Sequence, residues 1–305
     1  PDGMAGVDQE KMSKARRAQY PQLKPFRDAI ENRHQWCIAA VPGEKWAKKV
    51  FPDLPPKKAV EKMWQTILYT SRADGSNPVK AWKEHNADLK ARCDYLNSLG
   101  LKYLEYKSKN GTDFKVQLNE DGIFAGGEEK TLKGRVFNPN IPSEEVFTSP
   151  KAGAAEGIVY ATKPLSYQGQ LIENFSVRFE NGKAVEVRAE KGEELLKQMI
   201  SMDEGACMLG ECALIPYDSP ISNSGVLFYN TLFDENASCH LALGHGFNEC
   251  LKGYENYTNE QCKEHGINDS MIHVDFMIGS ADLSIVGVTA EGKLVQIFRD
   301  GNWAF

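Results

Sequence analysis

Leu101-Lys102-Tyr103-Leu104-Glu105-Tyr106-Lys107 and Thr112-Asp113-Phe114-Lys115-Val116-Gln117-Leu118 stand on either side of Asn110-Gly111. Asn-Gly between two strand-like runs is a strong hairpin signal, because both residues tolerate the positive φ that a tight turn demands. The pattern returns at Glu173–Phe179 and Ala184–Arg188 around Asn181-Gly182, with Phe175, Val177 and Phe179 alternating against Val185 and Val187. A helix is expected over Gly192–Ser201, followed by an apolar strand over Ala206–Pro216. Strands over Ser270–Ile278 and Leu283–Thr289 then lead to a hairpin at Glu291-Gly292 and a last strand at Leu294–Phe298. Beyond Gly100 the chain reads as an α+β domain built from antiparallel hairpins.

Upstream the texture is helical. Helices are predicted over Lys45–Val50 and Lys57–Tyr69, and a longer one from Pro78, capped by Asn77, to near Gly100. The apolar residues of the last, Val79, Trp82, Leu89, Cys93 and Leu96, recur at helical spacing. Trp36-Cys37-Ile38-Ala39-Ala40-Val41, closed by Pro42-Gly43, predicts a strand buried on both faces. One strand among helices suggests an α/β unit whose other strands are absent. The expected organisation is therefore α/β plus α+β: residues 1–105 a helix-rich α/β region truncated at its N-terminus, residues 106–305 the larger α+β domain. The chain opens on Pro1 rather than Met, which fits a fragment of something longer.

Composition narrows the function classes. The net charge is −6 over 305 residues, so no basic footprint invites nucleic acid or anionic lipid. No apolar run approaches the ~20 residues that span a bilayer, and the first residues do not read as a signal peptide. Seven cysteines, an odd number with no C-x-x-C, fit reduced thiols in a cytosolic protein.

Four segments place ionisable residues in apolar surroundings. In Ser270-Met271-Ile272-His273-Val274-Asp275-Phe276-Met277-Ile278, strand geometry puts His273 and Asp275 side by side on one face. A buried carboxylate there needs a cation, a metal or several donors; a polar pair at a sheet end is the plain alternative. His240 lies within Cys239-His240-Leu241-Ala242-Leu243, with Asp234 and Glu235 just upstream. Most lone buried histidines are only hydrogen-bonded, and the nearby acids shift the balance towards a ligand cluster. Glu144-Glu145 sits between Pro142 and Pro150, where adjacent residues of an extended chain point in opposite directions. One could bind a metal while the other faces a substrate water; a solvated pair is the ordinary reading. Glu211 is a carboxylate inside the apolar run Cys207–Pro216. Together these supply the mixed N/O set suited to Zn²⁺, Co²⁺ or Mn²⁺ and able to hold two ions.

These segments resemble a known family. Glu-Glu-Val-Phe-Thr-Ser-Pro (144–150), Gly-Glu-Cys-Ala-Leu-Ile-Pro (210–216), Phe-Asp-Glu-Asn-Ala-Ser-Cys-His-Leu-Ala-Leu-Gly (233–244) and His-Val-Asp-Phe-Met-Ile-Gly (273–279) look like the motifs of the thermophilic-metalloprotease-type aminopeptidases, in family order. The resemblance implies hydrolysis of the N-terminal residue of peptides by a homodimer with two divalent ions per chain. It implies Glu145, Glu211, His240, His273 and Asp275 as metal ligands, with Glu211 bridging and Glu235 a further ligand or a supporting partner. It implies Glu144 as the general base acting on a metal-activated water. The family pattern has a Tyr where this chain has Phe247, and a further N-terminal domain of roughly a hundred residues. A dinuclear amidase for non-peptide substrates and an inactive metal-binding module are the competing readings. A serine nucleophile is disfavoured, since no G-x-S-x-G occurs.

Overall fold

The computed structural model describes the chain except for Pro1, Asp2, Ala5 and Glu31. Helices α1 (Gln9–Ile30), α2 (Glu44–Val50), α3 (Pro56–Thr70) and α4 (Pro78–Ser98) come first. Helix α4 begins as its sequence dictates: the Asn77 side chain accepts from the Lys80 N–H, and Pro78 fills the first helical position, where no N–H is missed. His85, Leu89, Cys93 and Leu96 form its buried stripe. Val79, expected on that stripe, is 68% exposed, because it lies in the first turn before the helix meets the core.

The hairpin at Asn110-Gly111 forms from β1 (Leu101–Lys107) and β2 (Asp113–Leu118), with Tyr103 opposite Gln117 and Tyr106 opposite Phe114. Next come β3 (Glu129–Lys130), β4 (Val136–Phe137), β5 (Val146–Thr148), β6 (Pro150–Tyr160), β7 (Leu165–Tyr167), β8 (Gln170–Glu180) and β9 (Lys183–Lys191). Helix α5 (Glu193–Ile200), β10 (Leu209–Leu214), α6 (Pro220–Asn223), α7 (Thr231–Glu235), β11 (His240–Gly244) and α8 (Asn259–Glu264) follow. The chain closes through β12 (His273–Met277), β13 (Ser284–Thr289), β14 (Leu294–Arg299) and β15 (Asn302–Trp303).

The strands form a nine-stranded sheet, β15-β14-β13-β1-β2-β6-β8-β7 with β9 also on β8, and a four-stranded sheet, β12-β11-β10-β5. All ladder pairings between these strands are antiparallel. One large core, including Leu104, Phe114, Phe175, Leu241 and Phe276, lies between the sheets. A smaller one gathers Ala47, Met63, Phe228 and Phe233 from α2, α3 and the segment through α7.

Two expectations fail locally. The run Trp36–Val41 is not a buried strand: Ile38 makes a single bridge to Asn140, and Trp36, Ile38 and Val41 are exposed. Ile38 donates to Pro139 O at 2.7 Å and accepts from Ile141 N at 3.0 Å. Pro139 has no N–H to return to the chain, so the ladder cannot extend past it. No named strand precedes Leu101 among the described residues, which leaves the expected α/β strand without a counterpart. Val185, expected to face inward, is 53% exposed. A bulge between Arg178 and Phe179 pairs Phe179 with Ala184, so Ala184 takes the inward place.

Candidate metal centre

Residues directly opposite in an antiparallel ladder share a face, and residues two apart along a strand return to it. Glu211 lies opposite Ala242, and Ala242 opposite Asp275. His240 lies opposite both Ala213 and Met277, and Ala213 opposite Phe147. His273 lies opposite Gly244. One face of the four-stranded sheet thus carries Glu211, His240, His273 and Asp275, with Glu145 two residues ahead of Phe147. Ala213, Ala242 and Gly244 between them leave room above the sheet. The other face, with Cys212, Leu214, Leu241, Leu243, Val274 and Phe276, belongs to the large core.

A bulge in β10 keeps this arrangement. Leu209 pairs with Leu243 while Glu211 pairs with Ala242, so Gly210 is an extra residue that aims Leu209 at the core and Glu211 at the site. A side chain does not fit at Gly210, since a Cβ would lie 2.1 Å from the His245 carbonyl oxygen.

Two sets of ligand atoms converge: Glu145, Glu211 and His240, and Glu211, His273 and Asp275, each within 4.8 Å of one another. His240 Nε2 is 3.6 Å from Glu145 Oε2 and 4.0 Å from Asp275 Oδ1. His273 Nε2 is 3.2 Å from Glu211 Oε2 and 3.1 Å from Asp275 Oδ1. Each imidazole is oriented from behind. His240 Nδ1 lies 2.9 Å from the Glu235 carbonyl oxygen, and His273 Nδ1 lies 2.7 Å from that of His245. A carbonyl only accepts, so both Nδ1 atoms carry protons and both Nε2 atoms are turned to the carboxylates, the arrangement metal-binding histidines use.

The residues fit divalent cations. Asp275 Oδ1 is buried and accepts no hydrogen bond, although His273 Nε2 is 3.1 Å away. Two lone pairs this close and not bonded to each other suit a shared cation. Three carboxylates and two imidazole nitrogens buried together make a donor set for a borderline metal ion. Without a cation, protons must moderate the charge. Burial, then Glu211 and Asp275, hold the Glu145 carboxyl well above its usual range, and burial followed by Asp275 and Glu145 does the same at Glu235. At His273 burial opposes the charge, yet Asp275 and Glu211 outweigh it and push the imidazole up. At Asp275 burial works upward, but the His273 charge prevails and the carboxyl falls below its usual range.

These directions set the pH dependence of loading. In the metal-free protein burial and the neighbouring carboxylates favour the protonated form of Glu145, the carboxylates favour that of His273, and a cation needs their lone pairs. Metal binding is expected to release protons and to weaken as the pH falls. Calorimetric titration in two buffers of different ionisation heat measures the release; equal apparent enthalpies would show that none occurs.

Glu144 and Glu145 point apart, as alternation requires. Glu145 lines the cavity above the sheet, of about 200 Å³, with Glu211, Glu235, His273 and Asp275. Glu144 does not line that cavity; both its oxygens pair with Arg72, Nη2 to Oε2 at 2.7 Å and Nη1 to Oε1. His85 Nε2 donates to the neighbouring Ser143 carbonyl at 2.7 Å, and Asn236 Oδ1 accepts from the Glu144 N–H at 2.7 Å. Glu235 belongs to neither ligand set; its backbone carbonyl orients His240. The Phe247 ring stands 4.8 Å from that of His273 and offers no oxygen.

Sequence reasoning overlooked Arg72, His85 and Glu129 and read Trp36 and Ile38 as core. Arg72 meets Glu144 across 72 positions, so no local pattern announces it. The apolar run at 36–41 was itself a signal: its Trp36 and Ile38 form a wall of the cavity.

The thermophilic metalloprotease family (M29) matches residues 1–303. Aminopeptidase 2 of Geobacillus stearothermophilus is 45% identical over the whole chain and 74% of its own length. Aminopeptidase AmpS of Bacillus subtilis is 43% identical with the same coverage. The solved structure of wild-type AmpT from Thermus thermophilus superposes with a TM-score of 0.88 at 40% identity, covering 99% of this chain and 73% of that one. Matched along nearly its full length in sequence and in fold, the chain belongs to the thermophilic metalloprotease family, a family of peptidases.

Proposed function

We propose that the protein is an aminopeptidase that removes the N-terminal residue of peptides with two divalent ions, Zn, Co or Mn, per chain. The observation that carries this reading is the pair of ligand sets sharing Glu211 on one buried sheet face. The names of the relatives, aminopeptidases all, direct it to substrates with a free N-terminus. Ions held there would polarise the scissile carbonyl and bring the pKa of water towards about 7.

The chain's own residues do the rest. Glu145, Glu211, His240, His273 and Asp275 hold the ions, and the carbonyls of Glu235 and His245 fix the two imidazoles. Glu144 takes the proton from water and returns it to the departing amine, exchanging its Arg72 pair to do so. Trp36, Ile38, Phe147 and Phe247 supply apolar walls that limit water. We place the protein in the cytoplasm as a homodimer. None of its seven cysteines forms a disulfide, and among the described residues no helix is long and apolar enough to cross a membrane. Light scattering that reads one chain per particle would remove the dimer.

Leucyl-p-nitroanilide is expected to be cleaved by the metal-loaded protein, with activity lost on chelation and restored by Zn²⁺, Co²⁺ or Mn²⁺. Acetylation of the substrate amine should abolish cleavage. Equal cleavage of the acetylated compound would point to an amidase. A metal-loaded protein without turnover would support a binding module, the reading that Phe247 favours.

A further inference from the structure

Outside the ligand sets, two carboxylates, Glu129 and Glu249, stand where two cavities meet, and Glu249 has an interaction partner of its own. Glu129, on β3, lines both the metal-centre cavity and a larger one of about 830 Å³ that runs beneath α1, past Tyr20, Lys24 and Arg27. Trp36, Ile38, Phe247, Glu249 and His273 line both cavities as well, so the passage between them is bounded by apolar as well as ionisable side chains. Glu129 is half-buried, and among the described residues no cation or hydrogen-bond donor neutralises its carboxyl. Burial alone pushes it up to about 7. It is near enough to Glu145 to raise that carboxyl too, yet it belongs to neither ligand set.

A half-buried carboxylate without a partner is costly unless a cation arrives from elsewhere. The substrate assigned above brings one. In a peptide cut after its first residue, the α-ammonium and the scissile carbonyl are on the same residue, so the ammonium's receptor must adjoin the metal centre without being consumed by it. Glu129 meets both conditions.

We propose that Glu129 receives the α-ammonium group of the substrate and thereby determines that only a free N-terminus is accepted. This rests on the aminopeptidase reading. Ligand-set carboxylates are committed to cations, whereas Glu129 is the one that the substrate itself would neutralise. A charge-assisted hydrogen bond of this kind corresponds to about 10–100-fold in binding.

The test uses Glu129→Gln and Glu129→Ala in the metal-loaded full chain. KM for leucyl-p-nitroanilide should rise by about 10–100-fold, with kcat changed little and metal content unaltered. Inhibition gives a second readout. Leucine hydroxamate should outcompete its des-amino counterpart, 4-methylpentanohydroxamic acid, on the wild type, and that preference should collapse in both variants. Wild-type turnover with unchanged KM and unchanged inhibitor preference in the variants would overturn the role of Glu129 and leave the aminopeptidase reading intact. Wild-type turnover that survives acetylation of the substrate amine would overturn both.

Discussion

Replacing Glu211 by alanine is expected to remove bound metal and activity together. Its carboxylate is the only ligand common to the two converging sets among the described residues, so the variant leaves each set with two residues: Glu145 with His240, and His273 with Asp275. Removing a residue that merely orients a metal ligand costs about 10–100-fold in affinity; losing a shared ligand should exceed that range. Elemental analysis after dialysis should find the ions per chain sharply reduced, and turnover should fall with them. Glu235→Gln is the matched control. It changes an acid in the same cavity that belongs to neither set and keeps the backbone carbonyl that orients His240. Its metal content should be that of the wild type. Stability distinguishes ligand loss from misfolding. Glu211 repels the Glu145 carboxyl but also pairs with His273, so its deletion removes one opposing and one favourable interaction, and the metal-free variant should melt close to the metal-free wild type. The wild type alone should gain on adding metal, by about 2.7 kcal/mol at a hundredfold excess over Kd. An Ala variant with unchanged stoichiometry would reject Glu211 as a ligand.

The parts of the molecule governed by local rules were legible in its sequence. Asn110-Gly111 announces its hairpin because few residue pairs accept that turn. Asn77-Pro78 announces the start of α4. Two-residue alternation placed His273 beside Asp275 and turned Glu144 away from Glu145, and both relations hold in the structure. What stayed hidden depends on partners far along the chain. Composition alone does not reveal the bulge at Arg178 that reverses Val185. The run Trp36–Val41 is as apolar as a core strand, and only Pro139 opposite it stops the ladder. Arg72 and Glu144, 72 residues apart, leave no local trace of their pairing.

That last pairing gives the second large expected effect its interest. Glu144→Gln should keep its bound metal, because Glu144 belongs to neither ligand set, and should lower kcat by about 10²–10⁴-fold, the range for loss of a positioned base. KM should move little. The described arrangement makes this a demanding test, since Arg72 grips both oxygens and Asn236 holds the Glu144 N–H. A clamp built this way would also steady the chain at Glu145, and a clamp role makes a different prediction. Gln retains one oxygen for Arg72, so a clamp should survive the substitution with less than about a tenfold loss, within the net value of one hydrogen bond. Arg72→Ala separates the two further. If Glu144 transfers protons, freeing it from Arg72 leaves most of kcat in Arg72→Ala, whereas Glu144→Gln loses it. If it only anchors the Ser143–Glu145 segment, Arg72→Ala loses more activity than Glu144→Gln, and metal affinity falls with it. Full turnover in Glu144→Gln would remove the residue from the chemistry, and proton transfer would then fall to a carboxylate that already lines the cavity, Glu235 being one of those outside both ligand sets.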